Sequence, residues 1–381
     1  MTALPLDGVR VVSIGHTLPG IYCVAILRDL GADVVLVERV TGAAGSDRYA
    51  GLAGRFPTDS LRAGVSRLEL NLKSERGREL FLLLASGADV VLEGFRPGAA
   101  ARLGIDFDAV KARNPAIVYT AISGFGQDGP ARDRAGHDIG YLASTGVLDL
   151  SGRPGESPAF AGITFADGLA GVTAALNVVA ALHGRARSGE GGFLDLAIVD
   201  GPAFLMSSEY EHYFRSGETR SRGDTHLAGH YPWYDVFETA DGRFLSVGAV
   251  EPAFHAELCR VIGHPELAAR QITEGEELER QRALFRATFR SRTLAEWRQR
   301  LAGIDACIEP VLTAGEAAGA PHLGRVRRTE PGFATPLVRT PVRLGERLLP
   351  SPRPARALLE SLGLTAAEIA ELVAAGVVGR S

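Results

Sequence analysis

The sequence predicts a doubly wound α/β protein with a smaller α+β domain, and three observations carry that reading. Strand-like runs rich in Val, Ile and Leu alternate with helix-length segments through the first hundred or so residues. Those runs are apolar at consecutive positions rather than at every second one, as strands covered on both faces of a parallel sheet are. After about residue 230 the alternation gives way to a hairpin and a set of Arg-rich helices, which marks a second domain.

Taken in order, "VRVVSIG" reads as a strand, "GIYCVAILRDL" as a helix that stops at Gly31, and "ADVVLVE" as the next strand, together one βαβ unit. "SRLELNL" follows, then a helix opened by Ser74 with Glu75 in its first turn and stopped at Gly87, then the strand "ADVVLEG". "FDAVKARN" and "PAIVYTAIS" add another helix and strand, and a small-residue helix, "ADGLAGVTAALNVVAALHG", precedes "GGFLDLAIVDG", a strand leading into a helix. "YDVFETADGRFLSVGA" is a hairpin around Asp241-Gly242. The proline-rich "LLPSPRPAR" is a linker, and "TAAEIAELVAAG" is a closing helix with Thr365 and Glu368 as its capping box and Gly376 as its stop. The expected domains are 1–200 completed by 340–381, a linker at 201–230, a small domain at 231–325, and a return linker at 326–339.

Composition narrows the function classes. The chain has 381 residues, 46% hydrophobic and 23% charged, with a formal net charge of −4, so neither nucleic acid nor an anionic membrane is an expected partner. The cysteines, Cys23, Cys259 and Cys307, are too far apart for a disulfide framework or a metal knuckle, so no metal is expected and a reducing cytoplasm fits. The N-terminus lacks the pattern of a signal peptide, and the apolar run Leu169 to Leu182 is too short to span a bilayer.

The first turn, "GHTLPG", is not G-x-G-x-x-G, which argues against a nicotinamide cofactor. Basic residues instead follow the strand ends: Arg39, Lys73, Arg96 and, one turn further, Arg102. In an open parallel sheet ligands gather at the carboxyl ends of strands, where such cations can hold phosphates; individually, each also reads as a solvated surface charge. In "RAGHDIGYLASTG" an ionisable pair, His137 and Asp138, heads a small apolar run after Gly136. An imidazole there can act as base or acid, or merely cap or pack. Asp167 reads locally as an N-cap, and Glu251, before Pro252, as a loop charge.

The segments "LPGIYCVAILRDLGADVVLVER", "LNLKSERG", "VVLEGFRPGAAARLGID", "ISGFGQDGP", "AGHDIGYLASTGVL", "ADGLAGV" and "YDVFETADGRFLSVGAVEPAF" resemble, in order and spacing, the family III CoA-transferase superfamily, and within it the α-methylacyl-CoA racemase branch. The resemblance implies a Rossmann-like large CoA-binding domain, a small domain, and an interlocked homodimer whose site joins one subunit's large domain to the other's small domain. It assigns Arg39, Lys73, Arg96 and Arg102 to the CoA nucleotide and phosphates, and Gly94, Phe95, Gly136 and Tyr141 to the thioester arm and its surroundings. His137 and Asp167 match the two acid/bases and Glu251 the residue that orients the histidine; Asp138, read locally, can tie down the backbone near His137. The CoA moiety is then part of the substrate, and no separate cofactor is implied.

The implied reaction interconverts R and S 2-methylacyl-CoA through an enolate, within lipid metabolism. Two alternatives stand beside it: a CoA-transferase with Asp167 as nucleophile, and a non-catalytic acyl-CoA-binding protein. The chain departs from the racemases in having Gly168-Leu169-Ala170-Gly171 where a glycine triplet is common, Ile163 where Asn is common, and only two methionines, Met1 and Met206.

Overall fold

The computed structural model describes residues 3–14, 17–40, 58–225, 227–344 and 348–379. Gly15 and His16 of the first turn lie outside them. The chain divides into two units, one of residues 1–145, 161–206 and 325–381, the other of 146–160 and 207–324.

The first unit is built on six parallel strands: β1 (Arg10–Ile14), β2 (Asp33–Glu38), β3 (Ser66–Glu69), β4 (Val90–Glu93), β5 (Val118–Ser123) and β6 (Gly192–Ala197). Their order, β3-β2-β1-β4-β5-β6, reverses direction between β1 and β4. That is the doubly wound arrangement, and its ligand crevice lies outside the carboxyl ends of the strands at this switch point. The consecutive apolar residues account for the topology, since Val34, Val35, Leu36 and Val37 of β2 and Val90, Val91 and Leu92 of β4 are all buried, which requires cover on both faces.

The helix Leu18–Asp29 ends against Gly31, whose φ of +112° is open to glycine and strained for other residues. The helix Glu75–Ser86 starts where Ser74 was expected to cap it, and the Ser74 hydroxyl accepts from the Gly77 N–H at 3.0 Å. The C-terminal helices Ala355–Ser361 and Ala366–Ala374 add Leu358, Leu359, Ile369 and Leu372 to the core under β3 and β4. The chain then pairs Val378 with Leu70. A buried ionic network ties the returning segment to the first helix: Asp29 receives Arg28 at 2.9 Å, Arg328 at 3.4 Å and the Thr340 hydroxyl at 2.6 Å.

The second unit carries an antiparallel sheet of β7 (Tyr234–Glu238), β8 (Phe244–Gly248) and β9 (Ile308–Pro310). Gly242 makes the expected turn at φ +70°. The sheet packs on helices Pro252–Ile262, Gly275–Phe289 and Leu294–Leu301 through an aromatic core in which Phe237 stacks on Phe289 at 4.7 Å.

The structure divides the chain differently from the expected domains. Residues 146–160 and 207–230 were expected in the large domain and in a linker, but both lie in the second unit, the latter partly as the helix Ser207–Ser216. The segment 326–339, expected to be a linker, is in the first unit, held there by the Arg328 network. The small-residue helix runs from Phe165 to Ser188, so it is long and apolar enough to cross a bilayer by length and composition, where the run Leu169 to Leu182 alone is not. Ala170, Gly171, Ala174, Ala175 and Val178 of that helix are buried, and it packs on the first helix and on β5 and β6.

Candidate active site

The turn after β4 enters the switch-point crevice. Gly94 N–H donates to the Ile14 carbonyl of β1 at 3.1 Å, and Phe95 N–H donates to the Glu93 carboxylate at 2.6 Å, so both neighbours of the turn fix its course. Phe95 packs against the core while Arg96 and, on the short helix Ala99–Leu103, Arg102 are exposed. Lys73, between β3 and the helix at Glu75, and Arg39, just past β2, are exposed as well. Each basic residue thus follows the carboxyl end of a strand, the end at which an open sheet binds anions.

The second cluster forms where two helices begin. His137 is the N-cap of the helix Asp138–Ser144, with extended backbone (φ −135°, ψ 170°) and an exposed ring that hydrogen-bonds no described residue. Gly136 leaves room for the Tyr141 ring, which would lie 2.6 Å from a Cβ at that position. Tyr141 is buried, with its ring edge against Phe125 at 5.4 Å.

Asp167 is placed differently from its local reading. Thr164, not Asp167, is the N-cap of the helix Phe165–Ser188, and Asp167 sits inside the first turn. Its backbone N–H donates to the Asp138 carboxylate at 2.9 Å. Asp138 therefore ties together two helix starts that are 29 residues apart in sequence, a wider role than fixing the backbone beside His137. The Asp167 carboxyl itself makes no hydrogen bond to any described residue. Burial and repulsion by Asp138 push it up to about 6, with His137 pulling the other way. Asp138 and His137 thus both act on the Asp167 charge, and the Asp138 bond to the Asp167 N–H joins the two helix starts that carry them.

Burial also raises the Tyr141 hydroxyl, aided by the two aspartates. One turn after Asp167, Gly171 sits against the first helix, where an added Cβ would collide with Tyr22 Cβ and lie 2.7 Å from the Pro19 carbonyl oxygen. The departures from the racemase pattern also have places: Ile163 is exposed, while Met206 is buried and so offers no surface.

Glu251 belongs to the second unit, where it is exposed and is the N-cap of the helix Pro252–Ile262. Sequence reasoning missed Glu93, which is only 5% exposed and which burial pushes up to about 7. The available signal was a glutamate closing a strand that is otherwise apolar on both faces.

The sequence pattern of CoA-transferase family III matches residues 6–355. The chain belongs to this family. The alpha-methylacyl-CoA racemase of Mus musculus is 37% identical over 352 residues, 92% of this chain and 85% of that protein. The succinyl-CoA–D-citramalate CoA-transferase of Chloroflexus aurantiacus is 35% identical over 269 residues, 69% of this chain and 66% of that protein. Among solved structures, a CAIB/BAIF family protein from Brucella suis matches with a TM-score of 0.79 and 27% identity, over 94% of this chain and 100% of that one. The relatives of this chain thus include both a racemase and a CoA-transferase, and the protein is an enzyme of this racemase and CoA-transferase superfamily.

Proposed function

We propose that the protein is a racemase that interconverts R and S 2-methylacyl-CoA thioesters by 1,1-proton transfer. One of His137 and Asp167 removes the α-proton as base. The electron pair passes to the thioester oxygen as an enolate, and the other residue, protonated, returns a proton to the opposite face. Arg39, Lys73, Arg96 and Arg102 hold the CoA phosphates. Gly94, Phe95 and Tyr141 line the thioester arm, and Glu251, supplied by the second subunit of an interlocked homodimer, orients the histidine.

The observation that carries this reading is the Asp167 carboxyl, free of hydrogen bonds to described residues and raised to about 6 beside His137. A carboxyl that titrates near neutrality can both take and give a proton. The identity to the mouse racemase over 92% of the chain supports the same assignment.

The test is incubation with 2-methylacyl-CoA in D₂O without any acceptor acid. Wild type incorporates one deuterium at C2, and His137→Ala and Asp167→Ala each lose about 10²-fold or more of that rate. The transferase reading draws on the same unpartnered carboxylate, which could serve as nucleophile, and on the Chloroflexus relative. No exchange, together with an acyl-enzyme trapped by hydroxylamine at Asp167, would decide for it.

A further inference from the structure

Glu93 has no part in proton transfer, yet the fold buries it. As the last residue of β4 it pairs in register with Ile14 of β1 and Ala121 of β5. It shares its face with Val91, a fully buried residue of the main core. Together with Tyr119 and Gln127 it lines a cavity of about 290 Å³. No arginine or lysine forms an ion pair with it among the described residues. A carboxyl in such a place costs stability, and strand patterning alone would put Val or Leu there. What the carboxyl provides is an acceptor for the Phe95 N–H at 2.6 Å. The turn Gly94–Arg96 is therefore held from two sides, by Glu93 and by the Ile14 carbonyl.

We propose that Glu93 is a positioning residue for substrate binding: it fixes the backbone of Phe95 so that Gly94, Phe95 and Arg96 present a preformed surface to the CoA arm and its phosphates. The inference rests on the acyl-CoA reading of that turn, not on which reaction follows. Preorganisation of this kind acts on affinity, because the cost of ordering the turn is met on folding rather than on binding. Losing the acceptor frees the turn without touching His137 or Asp167. The expected signature is weaker binding with intact turnover at saturation.

The experiment compares wild type, Glu93→Met and Glu93→Gln by calorimetric titration with CoA, by steady-state kinetics and by thermal melting. Met fills a similar volume without an acceptor, whereas the Gln carbonyl can still accept the Phe95 N–H. Glu93→Met is expected to bind CoA about tenfold more weakly, the effect of one hydrogen bond. Its kcat should stay within about threefold and its Tm close to that of wild type. Glu93→Gln is expected to bind within about threefold of wild type.

Equal CoA affinity for wild type and Glu93→Met would overturn the proposal, as would equal losses in both variants. Wild type that fails to bind CoA would instead remove the acyl-CoA reading, and the proposal with it. Should Glu93→Met not fold, hydrogen exchange at the Phe95 amide of wild type decides: protection is expected, and exchange at the solvent rate would show that the pin does not exist.

Discussion

Asp167 depends on its neighbours more than any other residue of the site. Its folded-state pKa, about 6 against an ordinary 3.8, means that the native state binds more protons than the unfolded chain between those values. Stability therefore falls as pH rises from about 4 to about 6, and the penalty is complete above that. Asp167→Asn should consequently be more stable than wild type at pH 8, by about 1–2 kcal/mol once solvent screening of this half-buried group is allowed for. The two proteins should converge near pH 3; denaturant melts at both pH values check this, and a variant less stable at pH 8 would contradict it. In the direction where Asp167 accepts the proton, kcat/KM should show an acid limb near pH 6. The sequence displayed the aspartate and the histidine. It did not display that the helix starts at Thr164, which leaves Asp167 inside the first turn with a carboxyl that hydrogen-bonds no described residue, because tertiary packing as well as local sequence sets where a helix begins.

At the scale of elements, the helix Phe165–Ser188 sets the height of Asp167 in the site, and Gly171 sets how closely that helix approaches the first one. A Cβ at Gly171 would strike Tyr22 and the Pro19 backbone, so Gly171→Ala should destabilise the protein by about 1–3 kcal/mol. It should also lower kcat/KM by about tenfold or more, since it displaces Asp167 one turn away. Gly184 on the same helix has nothing within 4 Å of its Cβ position, and Gly184→Ala should stabilise by up to about 1 kcal/mol with unchanged activity. Melting curves and kinetics on this pair separate packing from helix propensity; equal effects at both positions would refute the assignment. Helix, strand and cap positions were mostly legible in the sequence, as Ser74, Thr365 and Asp241-Gly242 demonstrate. The role of Gly171 was not, because a small residue in a small-residue helix looks the same whether it faces solvent or another helix.

For the whole molecule, the exposed apolar residues matter most. Val172, Leu176, Phe204 and Leu205 of the first unit are between 47% and 77% exposed, on the long helix and on the helix Asp200–Leu205 that packs against it. Large apolar side chains on neighbouring elements mark an interaction surface, and the homodimer proposed above would cover it with a second copy of the chain. Sedimentation should give a mass about twice 40.3 kDa, and Leu176→Asp with Phe204→Asp should reduce it to that of one chain or abolish soluble expression. A wild-type monomer at micromolar concentration would rule out the dimer.

Read by itself, the sequence determined the alternation of elements, the parallel sheet and its two-sided cover, and the cations past the strand ends. Those features are written in periodicity and composition over a few consecutive residues, where local geometry dominates. Only the tertiary structure decided that Asp138 grips the backbone of Asp167, that Glu93 is buried beneath the Phe95 turn, that Gly171 is a contact, and where the chain passes from one unit to the other. Each of these depends on burial or on a partner brought from elsewhere in the fold, and a side chain's charge state and hydrogen bonding follow from the surroundings that folding gives it.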